Sequence, residues 1–165
     1  MHPLAGRRTR ALLRDGSGHL GLAAATVPVG LLVHRQGWAR SRTVVLALSA
    51  VPPLLATVLA AAGDAGSGTA GHRRAGLVVL GPAGKAPGLG RALVRNAVKT
   101  GLPWQLGHVV AVGASRGGFE ERDPATLTAT ALVYPYLVAA GLAVAVGSGR
   151  ALHDRIAGTR VVARG

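Results

Sequence analysis

Two charged residues near the start of the chain could bind and release a proton or a cation. Arg8 and Asp15 are seven positions apart, and the uncharged run of residues 16–33 begins directly after Asp15. A carboxylate at the edge of an apolar segment is costly unless it is paired or hydrated, and such groups often mark an ion path. Arg8 would favour the charged form of that carboxylate. The alternative is that Asp15 pairs with Arg8 or another arginine and only fixes helix packing.

A second acidic candidate lies near the other end of the chain. Asp154 stands in the segment LHDRIAGTRVV, residues 152–162. It is either another proton- or cation-coupling group or a carboxylate that holds the tail in place through hydrogen bonds or an ion pair. His19 could carry protons near neutral pH, although a hydrogen-bonded packing role is the simpler interpretation.

The sequence gives little support for metal binding, phosphate-loop binding or nucleophilic catalysis. The chain has no cysteine, and its six histidines show no metal-ligand spacing. The stretch GPAGK lacks the first glycine and the Ser/Thr of a phosphate-binding loop, and no Gly-x-Ser-x-Gly nucleophile motif occurs. We therefore expect no enzyme, no cofactor and no metal. The net charge of +13 is spread among several segments, so we also expect no nucleic-acid partner.

The elements that must position these residues are membrane helices. Apolar residues make up 49% of the 165 residues and charged ones only 15%. About 20 apolar residues are needed to cross a bilayer. The sequence predicts an all-α polytopic membrane protein with three or four transmembrane helices. The predicted spans are residues 16–33, 43–63 and 127–146. Residues 101–115 are a fourth candidate, which could be the far half of a helix starting near Leu89 or lie at the membrane interface.

The distribution of Lys and Arg predicts the orientation, because cytoplasmic segments carry the excess. With three spans, 12 of the 19 basic residues share a side with the N-terminus, and with four spans 14 do. Both counts predict a cytoplasmic N-terminus in a plasma (inner) membrane. The two alternatives differ in the side on which the C-terminal tail lies.

The loop of residues 64–100 has structure of its own. Residues 77–80 have strand character, and residues 89–99 read as an amphipathic interfacial helix. Arg91, Arg95 and Lys99 are spaced by four, so they share one helix face and could bind anionic lipid phosphates, although a solvated face is an equal alternative. Residues 161–162 read as a second strand. We expect the two strands to form a small cytoplasmic β-strand clip that joins the tail to the loop.

Several segments in order resemble the RDD family of small bacterial membrane proteins. Arg8 and Asp15 are similar to the family's N-terminal Arg and Asp, and Asp154 to its second Asp. Residues 68–79 resemble its central segment, and residues 91–96 resemble the helix that follows. The resemblance implies a multi-span membrane protein, for which transport and cation/proton antiport have been suggested.

Two functions remain open from the sequence. The first is a transporter-like protein that exchanges monovalent cations for protons at Asp15. With so few spans it would work as a homo-oligomer or with another membrane protein. The second is a non-transporting scaffold or accessory subunit that binds anionic lipid or a protein partner. The transporter requires Asp15 within the bilayer facing a wet cavity, whereas the scaffold requires both aspartates to be paired with arginines.

Overall fold

The computed structural model describes residues 2–145 and 150–165, which are largely helical. Three helical segments are long and apolar enough to cross a membrane: Ala5–Arg35, Arg42–Ala65 and Pro124–Ala145. They confirm the predicted all-α polytopic fold. The elements in chain order are α1 (Ala5–Ala25), α2 (Val27–Arg35), a 3-10 turn (Trp38–Arg40), α3 (Arg42–Ser49), α4 (Val51–Ala65), α5 (Ala70–Arg74), β1 (Leu77–Leu80), α6 (Leu89–Asn96), a π-helical turn (Ala97–Gly101), α7 (Leu102–Ala114), α8 (Pro124–Ala145), α9 (Leu152–Ile156) and β2 (Arg160–Ala163).

The first two membrane-length segments are each divided into two helices. The first begins at Ala5, well before the predicted start at residue 16, and is interrupted at Thr26. The second is divided at Ala50, two residues before the first of the two prolines in the first turn of α4. Proline fits the first turn of a helix because its missing N–H has no partner there. Pro52 and Pro53 therefore lie just after the junction between α3 and α4.

The third membrane-length segment is α8. It covers most of the predicted span 127–146 and is described as far as Ala145, so residue 146 lies outside the described residues. Pro135 lies inside the helix. Val110 of α7 packs against Ala129 and Val133 of α8. A Cβ atom on Gly113 would overlap the Thr126 hydroxyl, so a glycine is needed for this close approach.

The predicted fourth span, residues 101–115, belongs to a longer interrupted helix. The chain runs from Leu89 through the π-helical turn to Ala114, which is about 39 Å at about 1.5 Å per residue. Just beyond α7, the Arg116 guanidinium donates to the carbonyl oxygens of Ala39 and Arg40 in the turn between α2 and α3. This helix therefore makes a fourth passage between the two ends of the bundle.

The predicted pairing of tail and loop is confirmed. β1 and β2 are antiparallel, with Val78 opposite Val162 and Val79 opposite Val161. Leu77 and Val79 are buried with Val161 and with Ala11 of α1. A two-stranded sheet is marginal by itself in water, so packing against α1 stabilises it. We call the end of the bundle that holds this sheet, the start of α1, α5 and α9 the clip end.

Candidate functional site

Asp154 is the centre of a buried cluster at the clip end. The short helix α9 begins after the extended residue Ala151 and turns Asp154 inward, where its side chain has no solvent exposure. Arg8 donates to one carboxylate oxygen at 2.8 Å, and Arg95 donates to the other through Nε at 3.0 Å. The Thr159 hydroxyl adds a bond of 3.2 Å. Asp154 thereby joins α1, α6 and the tail.

Asp64 is the second carboxylate of this cluster, at the end of α4. Arg95 donates to it through Nη1 at 2.6 Å, and the Asn96 amide donates at 2.8 Å to the same oxygen. Nδ1 of His72 lies 3.1 Å from the other oxygen. Arg95 is only 1% exposed and bridges both aspartates. We call Arg8, Asp64, Arg95 and Asp154 the closed network.

The closed network is electrically balanced. It contains two guanidinium groups and two carboxylates, all buried. Removing such charges from water costs several kcal/mol per ion, and only close pairing with further hydrogen bonds offsets that cost. Asn96, His72 and Thr159 supply the further bonds. Replacing one member by an uncharged residue would leave a buried charge without compensation.

Asp154 of the closed network and its chain neighbour His153 both have shifted pKa values. Burial alone would raise the pKa of Asp154, but the positive charges of Arg95 and Arg8 outweigh burial and hold this pKa below its usual value. Burial lowers the pKa of neighbouring His153 to about 3, although the Asp154 carboxylate lies 3.7 Å away. Near neutral pH, His153 is therefore uncharged and Asp154 is ionised.

Two predicted roles need correction. Arg8 does not pair with Asp15, because its guanidinium donates to Asp154. Arg95 does not share an exposed basic face with Arg91 and Lys99, because it points into the protein toward two carboxylates. Arg91 is exposed and donates to the Ala157 carbonyl at 3.3 Å, and Lys99 is half-buried in the π-helical turn. Lipid binding by Arg91 and Lys99 stays a prediction.

Asp15 has a different environment. Its carboxylate accepts hydrogen bonds of 2.7 Å from the Thr69 hydroxyl and from the backbone N–H of Gly71. Within residues 2–145 and 150–165, no Lys, Arg or His nitrogen lies within 4 Å of it. A Cβ atom on Gly71 would collide with the Ala11 carbonyl oxygen and the Asp15 carboxylate. The close approach of α5 to α1 therefore needs this glycine.

Asp15 also lines a cavity between α1, α4 and α5. The cavity has a volume of about 280 Å³, and its wall includes His19, Ala60 and Thr69. The His19 ring lies 5.8 Å from the Trp104 ring, which in turn lies 6.3 Å from the His108 ring. The structure thus brings together Asp15 and His19, two of the residues singled out in the sequence, at one cavity.

The sequence analysis missed several members of the closed network. Asp64 follows the uncharged run 43–63 directly, so the reasoning applied to Asp15 would also have found Asp64. His72 and Asn96 carry no such signal, because their importance comes from their contact with Asp64.

The comparison with protein families covers the residues of both sites described above. The model of the RDD family matches residues 3–158, nearly the whole chain. The matched range includes Asp15 and all four members of the closed network. Neither the curated proteins nor the solved structures contain a match. Together with the three membrane-length helices, the match shows that the chain is an integral membrane protein and belongs to the RDD family.

Proposed function

We propose that this protein is transporter-like and exchanges a monovalent cation for a proton at Asp15. The observation that carries the proposal is a carboxylate inside a membrane-length helix, on a cavity wall, without a cationic partner among the described residues. Unpaired ionisable groups in membrane segments are rare and often mark ion or proton paths.

The hydrogen bonds of Asp15 suit alternate binding of a proton and a cation. The Thr69 hydroxyl and the Gly71 N–H hold one carboxylate oxygen each, which sets the orientation of the group. A carboxylate has about four acceptor sites, so some remain for a ligand. The proton and the cation would compete for these sites, and this competition would couple their movements without further chemistry by the protein. The proposed function therefore involves no enzymatic reaction.

The proposal includes a homo-oligomer in a bacterial plasma membrane. One chain with four helical passages has too few helices to enclose a path, so a second copy or another membrane protein would supply the remaining wall. Of the 19 Lys and Arg residues, 14 lie in residues 2–15, 64–100 and 150–165, which meet at the clip end. The excess of basic residues supports a cytoplasmic location for the clip end and for the N-terminus.

The alternative is a scaffold or accessory subunit, and the closed network favours it. Asp154 is paired with two arginines and fixes the tail to the bundle, as a structural carboxylate would. A scaffold of this kind would use Arg91 and Lys99 for anionic lipid, or its surface for a protein partner. It would need no ligand at Asp15.

Flux measurements in liposomes separate the two functions. Purified protein would be reconstituted with an internal pH dye, and sodium, lithium or potassium would be added outside. We expect cation-driven proton movement in the wild type and its loss in Asp15→Asn. Glu121→Gln is the matched control, because it removes an exposed carboxylate from the loop before α8 and should leave flux unchanged.

Two results would count against the transporter. If the wild type shows no flux above empty liposomes with any of the three cations, the scaffold is favoured. If Asp15→Asn folds normally and keeps full flux, the coupling group is not Asp15. Circular dichroism and size-exclusion chromatography of each variant would establish that folding is intact.

A further inference from the structure

Four arginines converge on a second cavity at the clip end. Arg7, Arg10 and Arg14 lie three and four positions apart on α1, so they share one face of that helix. Arg74, the last residue of α5, faces them across a cavity of about 440 Å³. Its remaining wall is formed by Gly71, Ala75 and Gly76. We call this cavity the arginine pocket.

None of these four guanidinium groups is neutralised within residues 2–145 and 150–165. All four side chains are exposed, and no carboxylate lies within 4 Å of them. All six acidic residues of the chain are placed elsewhere: Asp64 and Asp154 in the closed network, Asp15 against Thr69 and Gly71, and Glu120, Glu121 and Asp123 in the loop before α8.

This arrangement favours an anionic ligand. Like charges three and four positions apart on a helix repel each other, so a bound anion would relieve the repulsion. The planar arginine side chain donates two parallel hydrogen bonds to phosphate oxygens, which makes it the preferred residue for that group. Gly76 has φ +63° and no side chain, and it leaves the pocket open beside Arg7. The pocket therefore favours a phosphate group, whether it belongs to a lipid headgroup or to a soluble ligand.

The surface next to the pocket points to a lipid as the source of that phosphate. Three of the four arginines occupy the first turns of the membrane-length segment Ala5–Arg35. Beyond Arg14, the same face of α1 carries the exposed small residues Ser17 and Gly21, flanked by Leu13 and Leu20, which are 69% and 73% exposed. A lipid headgroup in the pocket would place its acyl chains along this surface, whereas a soluble phosphate has no acyl chains that could contact it.

We propose that the arginine pocket binds the headgroup phosphate of an anionic phospholipid. The site is separate from the cation exchange proposed at Asp15, although Gly71 lies in the wall of the pocket and donates its N–H to Asp15. It is also separate from the predicted lipid contacts of Arg91 and Lys99. Its occupancy can be measured without any assay of transport.

The test compares two variants that lose the same charge. The pocket variant is Arg10→Gln/Arg14→Gln/Arg74→Gln. The control is Arg35→Gln/Arg122→Gln/Arg160→Gln, which removes three exposed arginines outside the pocket. Full-length protein in detergent would be titrated with short-chain phosphatidylglycerol, with phosphatidylcholine and with inorganic phosphate, and bound lipid would be counted by native mass spectrometry.

We expect the wild type to bind phosphatidylglycerol more tightly than phosphatidylcholine, and the pocket variant to bind it at least about 10-fold more weakly. Each cation near an anionic surface contributes a factor of about five, so three together exceed that bound. The control variant should change by less than about two-fold. Equal losses in both variants, or no preference for phosphatidylglycerol, would overturn the proposal. Inorganic phosphate that binds as tightly as the lipid would also overturn it and indicate a soluble ligand.

Discussion

The clip end contains two kinds of buried or half-buried carboxylate site, and they differ in the charge of their donors. Asp64 and Asp154 are compensated by the guanidinium groups of Arg8 and Arg95. Among the residues that the structure describes, Asp15 receives hydrogen bonds only from a hydroxyl and a backbone N–H, and it faces a cavity. The first arrangement completes the charge balance inside the protein. The second leaves a negative charge that a ligand can compensate.

Under the proposed function, this difference separates a structural from a functional use of one residue type. A carboxylate between two arginines is strongly held in its charged form and has little capacity left for a proton or cation. A carboxylate with neutral donors is oriented but not compensated. Stability should therefore depend mainly on the closed network, and ion exchange mainly on Asp15. The following predictions test this division, from the largest expected effect on stability to the smallest.

Arg95→Ala should cause the largest loss of stability. It removes one guanidinium from both Asp64 and Asp154, and it leaves buried charge without compensation. We expect the free energy of unfolding, measured by denaturant titration in detergent, to fall by about 3–5 kcal/mol. Arg91→Ala removes an exposed arginine one turn earlier and should cost less than about 1 kcal/mol. Equal effects of the two variants would mean that the closed network is not a major source of stability.

Gly71→Ala should damage the Asp15 site through packing. The new methyl group would press against the Ala11 carbonyl and the Asp15 carboxylate, so we expect a loss of about 1–3 kcal/mol. Cation-driven proton flux should fall with it. Gly21→Ala on α1 has open space around its Cβ position and should leave stability unchanged or slightly higher. Wild-type stability and flux in Gly71→Ala would contradict the close approach of α1 and α5.

Acid should destabilise the folded protein through His153, which lies beside Asp154 of the closed network. Its pKa is about 3 in the folded protein and about 6.5 in the unfolded chain, so the unfolded chain binds the proton first as pH falls. Stability should therefore decrease by about 2 kcal/mol from pH 6.5 to pH 5, at about 1.4 kcal/mol per pH unit. Denaturant titrations in detergent at several pH values would measure this slope.

His153→Gln is the variant for the acid prediction, because it removes the proton site and keeps a polar side chain. It should flatten the slope between pH 6.5 and pH 5. His34→Gln changes an exposed histidine and should leave the slope as it is in the wild type. A wild-type slope in His153→Gln would show that another group takes up the proton.

Asp15→Asn should have the smallest effect on stability, although it should abolish flux. The amide oxygen can still accept one of the two hydrogen bonds, and no ion pair within the described residues is lost. We expect the free energy of unfolding to change by about 1 kcal/mol or less. Asp154→Asn should cost several times more, because it removes the partner of two arginines. The division between the two sites fails if the two variants are equally destabilised.

The helical architecture was largely predictable because it depends on local composition. Uncharged runs long enough to cross a bilayer indicated the three membrane-length segments Ala5–Arg35, Arg42–Ala65 and Pro124–Ala145. The short apolar stretches at residues 77–80 and 161–162 indicated the two strands that pair. The helix bounds were less accurate at the start of α1, because basic residues do not prevent a helix from forming. Five of its first ten residues are glycine or arginine, yet the helix begins at Ala5.

The pairing of the charged residues was not predictable from spacing. Arg8 and Asp15 lie two turns apart on α1, about 10 Å along the axis at about 1.5 Å per residue, so each could turn to a different neighbour. The fold brings Asp154 to Arg8 from 146 positions away. The sequence predicted that Arg95 lies on an exposed face, because Arg91 and Lys99, four positions before and after it, are also basic. Its contact with two aspartates from other elements outweighs that local pattern.

The sequence by itself determined that this is a membrane protein of several helices with most of its basic residues at one end. Hydrophobic length and the charge of the flanking segments decide these properties, and both can be read along the chain. Only the tertiary structure decided which carboxylates are neutralised and which one faces a cavity. The reason is that compensation of a buried charge depends on distances of about 3 Å between side chains from different helices, and these distances exist only after the helices have packed.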